Sequence, residues 1–177
     1  MPEHARLTRR LYVPAAVLAF ALWLPATVSA QTQIPPEVPE DAVSAQSFDT
    51  IVTKAQAGDP RAQCEVGVAL LNGDAVPQDF KKALAWLTVS SDSGFGYARY
   101  VLADVYSRGY AGVPVNSEYA YYYASLAAAS SSLPDHYRDR AVKLRDASAK
   151  NLTVAQLTRV QARAALAPLG PVAESAQ

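Results

Sequence analysis

Apolar residues recur at helical spacing through the middle of the chain, and the spacing pattern itself occurs twice. Ala62, Val66, Ala69 and Leu70 form the stripe of one helix, which Asp59 caps and Pro60 opens. Asn72-Gly73-Asp74 breaks that helix, Val76-Pro77 leads out, and Asp79 caps a second helix marked by Lys82, Ala83 and Trp86 and closed by Gly94. The same grammar then restarts. Ala62, Val66, Gly67, Leu70 and Gly73 are answered 36 residues later by Ala98, Leu102, Ala103, Tyr106 and Gly109. After one extra residue the offset is 37, and Val76, Pro77, Asp79, Ala83 and Trp86 are answered by Val113, Pro114, Asn116, Ala120 and Tyr123. A fixed period in this range is the signature of a helical-hairpin array. Gly67 in mid-helix predicts close approach of a neighbouring helix. Gly73 and Gly109 should take positive φ at helix ends. Trp86 and Tyr123 are expected to fill the seam of each hairpin.

The flanks follow from the same pattern. Phe48, Ile51, Val52 and Ala55 predict a helix over 47–57, with Ser47 or Asp49 as cap and Gly58 as stop, standing where half of a preceding hairpin would be. Beyond Ser130-Ser131-Ser132 the repeat is lost. Pro134-Asp135 opens a helix with Tyr137, Ala141, Leu144 and either Ala147 or Ala149 facing inward. Its Arg138, Arg140, Lys143 and Arg145 alternate with Asp135, Asp139 and Asp146, as on a solvated face. Thr153 and Gln156 have capping-box spacing, and Val154, Leu157, Val160, Ala164 and Leu166 continue a last helix that stops before Pro168. Such a stack needs closing elements, because an open end exposes apolar surface. The expected fold is therefore all-α: a short α-solenoid with a half repeat at 47–58, repeats at 59–94 and 95–131, capping helices over 132–167 and a loose tail at 168–177.

Residues 1–30 have a different character. Arg6, Arg9 and Arg10 precede an apolar run from Leu11 to Pro25, and Val28 and Ala30 are placed for cleavage before Gln31. This reads as a secretory signal peptide, with an uncleaved anchor as the competing reading. The run is short for a bilayer span. From 31 to 46, Pro35, Pro36 and Pro39 with Glu37, Glu40 and Asp41 predict an extended linker, the alternative being a docking peptide.

Charge and chemistry narrow the function. The chain has 16 basic and 16 acidic residues, and no basic stripe supports nucleic-acid binding. A lone cysteine, Cys64, rules out an intramolecular disulfide; it is read as a packing residue, against a reactive thiol. Past the signal region there is one histidine, His136, beside Asp135 in the first turn of a helix. Neither a nucleophile elbow, a zinc-binding His-Glu-x-x-His helix nor a phosphate-binding loop occurs in the sequence. Asn151-Leu152-Thr153 matches a glycosylation acceptor, but the capping box already accounts for Thr153. The chain is therefore read as non-enzymatic, without cofactor or metal.

The run Ala62-Gln63-x-x-Val66-Gly67, followed by Leu70-x-x-Gly73-x-Ala75-Val76-x-x-Asp79-x-x-Lys82-Ala83-x-x-Trp86 and Ser90-Ser91-x-x-Gly94, resembles the Sel-1-like repeat. That family is related to tetratricopeptide repeats. Leu70, Ala75 and Ser90-Ser91 depart from its Tyr, Gly and Ala-Ala; the second unit restores Tyr106, Gly112-Val113 and Ala127-Ala128. The resemblance implies a protein-binding solenoid and a bacterial periplasmic adaptor or signalling regulator. With the signal peptide, the chain is read as an exported envelope scaffold or adaptor with a protein or peptide partner, monomeric and without a membrane span after cleavage. A regulator of a membrane sensor's external domain is the first alternative, an unrecognised hydrolase the second. Disulfide-rich members linked to penicillin binding are a poor match, since Cys64 stands alone.

Eight of the ten tyrosines fall between Tyr97 and Tyr123, in the second repeat. Tyr106 and Tyr123 hold repeat positions and are expected in the core. Tyr97, Asp104 and Arg108 lie off the stripe of Ala98, Leu102, Val105 and Tyr106, and Tyr121 and Tyr122 cannot both face inward with Ala120 and Tyr123. Tyr97, Tyr100, Asp104, Arg108, Tyr121 and Tyr122 are therefore the expected partner-binding residues, exposed tyrosine being common at interfaces. The competing reading is hairpin-edge packing.

Overall fold

The computed structural model describes residues 48–110 and 112–167. The expected signal peptide, the linker, a Ser47 cap and the tail from Pro168 lie outside them. Among the described residues the chain forms seven helices: α1 (Phe48–Gln56), α2 (Pro60–Asn72), α3 (Phe80–Asp92), α4 (Gly96–Arg108), α5 (Ser117–Ala128), α6 (Asp135–Ala149) and α7 (Val154–Ala165). The helices α2 and α3 pack as one hairpin and α4 and α5 as the next, with α1 against α2 and α3 against α4. This is a short all-α solenoid.

Local chemistry sets the boundaries. The Asp59 carboxylate accepts from the Arg61 and Ala62 amides at 2.8 and 3.2 Å, with Pro60 at the first helical position. Asp79 and Asn116 cap α3 and α5 through the Lys82 and Tyr119 amides, each at 3.0 Å. Thr153 and Gln156 cap one another's backbone at the start of α7. The two hairpin turns rest on Gly73 (φ 79°, ψ 26°) and Gly109 (φ 72°, ψ 157°). The first is a left-handed helix cap. The second lies in a region only glycine enters readily.

The seams show why small residues recur. A Cβ on Gly67 would stand 2.7 Å from Leu87 Cγ, so α2 and α3 meet at backbone distance. Leu87 is fully buried, whereas Trp86 keeps part of its surface accessible. Trp86, the expected seam filler of repeat one, packs partly buried against the core, and Leu87 beside it makes the contact with Gly67. The reason is volume: Gly67 leaves room for a leucine directly beneath it. In repeat two the same positions hold Ala103 and Ala124, both with no accessible surface. Each helix there contributes one methyl to the seam.

Two buried polar side chains tie successive hairpins together. Gln63 Nε2 donates to the Ala55 carbonyl at 3.2 Å, and Arg99 Nε donates to the Ser91 carbonyl at 3.2 Å. Gln63 and Arg99 are equivalent by the repeat, as are Ala55 and Ser91. Each reaches back eight residues across the turn between hairpins and adds a second hydrogen bond to a last-turn carbonyl that already accepts from the Gly58 or Gly94 amide. Ser90 Oγ adds a 2.6 Å bond to the Pro60 carbonyl, which explains a serine where the repeat elsewhere holds alanine.

The last two helices do not form a third hairpin. Both pack on α5, α6 also touches α4, and α6 and α7 make almost no contact with each other. Tyr137 and Ala141 of α6 are buried as expected. The third inward position is Ser148, not Ala147 or Ala149, since Ser148 lies one turn beyond the half-buried Leu144. On α7 the expected stripe narrows: Val160 is buried, while Val154 and Leu166 stay 83% and 87% exposed.

Candidate functional site

The second repeat carries the expected binding residues, and the structure distributes them over two aromatic clusters. The first joins α4 to α6. Tyr97 and Tyr100 stand one turn apart with ring centroids 6.0 Å apart, and Tyr137 of α6 closes over both at 5.1 and 5.0 Å. Tyr97 and Tyr100 are buried, which corrects the expectation that they face solvent. The stripe of α4 gave no sign of this, because the covering ring comes from a helix outside the repeat. Burial first, then the neighbouring Tyr137, pushes the Tyr97 phenol up. Outside the cluster, the His136 ring lies tilted against Tyr137 at 4.1 Å and the Arg140 guanidinium lies 5.5 Å from the Tyr137 ring centroid.

The second cluster joins α4, α5 and α7. Tyr106 stacks on Tyr123 at 5.9 Å and meets Tyr119 at a tilt at 5.0 Å, and Tyr122 meets Tyr123 edge-on at 5.0 Å. Tyr123 is core, as expected, and burial pushes its phenol up to about 12. Tyr121 is buried, a second correction: Gln161 of α7 donates to its hydroxyl at 3.2 Å. Tyr122 is half-buried, with the Arg163 guanidinium 4.2 Å from its ring centroid. Burial of Tyr121 and Tyr122 on adjacent positions is resolved by two partners. α5 is enclosed on several sides, so neighbouring side chains point into different contacts.

Asp104 and Arg108 form an ion pair at 2.8 Å, one turn apart on α4. The Asp104 side chain is 4% accessible and that of Arg108 47%. Asp104 is therefore a buried carboxylate, which corrects its expected surface position, and Arg108 is the exposed arm of the pair. Burial raises the Asp104 pKa, and the Arg108 charge opposes that shift. Of the six expected residues, Arg108 and Tyr122 keep accessible surface.

Sequence reasoning passed over Arg99, Tyr119 and Arg163. Arg99 had a readable signal, since it shares a repeat position with Gln63. Arg163 had none, because nothing local says that α7 lies against Tyr119 and Tyr122. Cys64 is buried with its thiol pushed far up by desolvation, which leaves it as packing and not as a nucleophile. No group of three or more His, Cys, Asp or Glu is gathered as metal ligands among the described residues.

Comparison with known proteins places this architecture. A family model described as Sel1 repeat matches residues 60–95 and 96–132, frames that begin one residue after those read from the sequence. Among solved structures the chain is similar to c5321, a protective antigen present in uropathogenic Escherichia coli strains and displaying an SLR fold. Identity is 24% and the TM-score 0.59, over 66% of this chain and 24% of that one. The chain thus spans about a quarter of that neighbour's length. A Sel1 repeat protein from Oxalobacter formigenes aligns over 65% of this chain and 97% of its own, at 21% identity and a TM-score of 0.41. No curated protein matches.

Proposed function

We propose that this chain, which carries two Sel1 repeats, is an exported adaptor that holds another protein or peptide in the cell envelope. Sel1 repeats mediate protein–protein interaction, and the observation that carries the reading is their match to the two stacked hairpins. Capped helices, a backbone-close seam at Gly67 and the Gln63 and Arg99 clips make a surface that is rigid before a partner arrives. Such preorganisation lowers the ordering cost of binding. The work is recognition, and no bond is made or broken.

The periplasmic address rests on the basic start, apolar run and small-residue end of residues 1–30. Among the described residues no helix is long and apolar enough to cross a membrane. Arg108 and Tyr122 are proposed as contact residues, Arg108 foremost, because its guanidinium is exposed while Asp104 anchors it from inside. We take the working form to be a monomer.

Capture from a membrane-envelope fraction, with the purified chain as bait and mass spectrometry as readout, tests the proposal. The wild-type chain should retain one partner in near-stoichiometric amount. Arg108→Glu, made in an Asp104→Asn background so that no buried carboxylate is left without its charge partner, should lower recovery by about tenfold relative to Asp104→Asn alone, equivalent to roughly 1.4 kcal/mol. Turnover of a small substrate by the purified chain alone would overturn the reading.

A further inference from the structure

Helix α7 is well specified as a helix yet held to the molecule by little. Its start is locked by reciprocal capping: the Gln156 amide donates to Thr153 Oγ1 at 3.3 Å, and the Thr153 amide donates to Gln156 Oε1 at 3.0 Å. Its attachment is another matter. Val160 is its one buried residue, and Leu157 and Ala164 are half-buried. It makes almost no contact with α6, to which residues 150–153 tether it. Its polar contacts all land on α5. Arg159 reaches Glu118 at 3.4 Å, Gln161 reaches the Tyr121 hydroxyl at 3.2 Å, and Arg163 lies 4.2 Å from Tyr122 and 5.3 Å from Tyr119. One buried valine, an exposed ion pair and cation–π contacts at the surface are weak holds. Elements with few buried apolar contacts open well before the whole fold does.

The face beneath α7 does not depend on it for shape. Tyr119 and Tyr122 are braced by Tyr106 and Tyr123 through ring contacts of 5.0 to 6.4 Å. The face is also peculiar to this repeat. Where α5 carries Glu118, Tyr119, Tyr121 and Tyr122, the equivalent positions of α3 are Lys81, Lys82, Leu84 and Ala85. An aromatic, singly acidic face that is rigid and lightly covered suits an amphipathic helix bearing arginine.

We propose that the Glu118–Tyr119–Tyr121–Tyr122 face of α5 is a helix-docking site. In the free chain α7 occupies it. A partner's short amphipathic helix, with an aliphatic residue followed three positions later by an arginine as in Val160 and Arg163, takes it when α7 lifts. This deepens the binding-module reading by naming a site and a ligand class, and its test needs no natural partner.

Two measurements on the full chain decide it. By hydrogen exchange, the amides of α7 should exchange at least about tenfold faster than those of α4 and α5. A fluorescent peptide of residues 150–167 is then titrated against wild type and Val160→Asp. The variant should bind it at least about tenfold more tightly, because its own helix no longer competes. The Arg163→Ala peptide should bind more weakly than the unaltered one. Protection of α7 equal to that of α4 and α5 in the wild-type chain overturns the proposal. So does global unfolding of Val160→Asp, equal binding to both proteins, or no binding to a Val160→Asp chain in which α2–α5 stay protected. Envelope capture of a partner by a chain that fails these tests would keep the adaptor reading and remove this site.

Discussion

Two residues in this chain sit against their own preferences, and each makes a prediction. Ala75 has φ 62°, a left-handed conformation that costs an alanine free energy, while its repeat partner Gly112 adopts φ 80° without that cost. The turn geometry is thus common to both repeats, and only one of them has the residue it favours. Ala75→Gly should stabilise the fold by about 0.5–1 kcal/mol, the relief of strain exceeding the added freedom of the unfolded chain. Urea denaturation would measure it, and a loss of stability would contradict the turn assignment. Asp104 is the second case. Burial raises its folded pKa above the unfolded value, so the folded chain binds the extra proton as pH falls. Stability should therefore decline as pH rises from the ordinary carboxylate range through the folded pKa. Asp104→Asn should remove that decline and raise the melting temperature near neutral pH, since Arg108 is exposed and loses little. A melting series against pH on both proteins tests the sign.

At the level of elements, the two hairpins solve one packing problem in two ways. Repeat one sets a leucine of α3 against a glycine of α2, and repeat two places alanine at both positions, so that seam takes one methyl from each helix. Gly67→Ala should cost about 1–3 kcal/mol, because the new methyl meets Leu87 Cγ. Leu87→Ala alone should cost about 2–5 kcal/mol through the cavity it leaves. The double variant reproduces the repeat-two combination and should be less destabilised than the sum by at least about 1 kcal/mol. Additive costs would mean that the two side chains do not share the seam. The repeat itself made most of this legible. Caps at Asp59, Asp79 and Asn116, turns at Gly73 and Gly109 and the close approach at Gly67 all follow from short-range rules. Leu87 did not, because its repeat equivalent is the small Ala124, so the repeat pattern marked Trp86 and not Leu87 as the large seam residue.

Across the whole molecule, what escaped the sequence is the path of the chain after Ser132. A repeat pattern predicts contacts within and between repeats, and Tyr97, Tyr100, Tyr121 and Tyr122 fit none of those contacts. They therefore read as surface. The structure covers them with α6 and α7, whose own patterns reveal helices but not where those helices come to rest. The surplus tyrosines are thus largely the docking ground for the C-terminal helices, and a stack ended this way hides its aromatic face instead of exposing it. The two caps are unequal. Tyr137 of α6 is buried against Tyr97 and Tyr100, whereas α7 buries Val160 alone. Removing the α6 contact should therefore be felt by the whole array. Tyr137→Ala should lower global stability by about 3–5 kcal/mol, the range for losing a large buried ring. Tyr97 and Tyr100 should become accessible to solvent at the same time. Val154→Ser, at an exposed position of α7, should stay within about 0.5 kcal/mol of wild type. Guanidinium denaturation followed by tyrosine fluorescence distinguishes the two. A Tyr137→Ala cost no larger than that of Val154→Ser would show that α6 leans on the repeats without closing them.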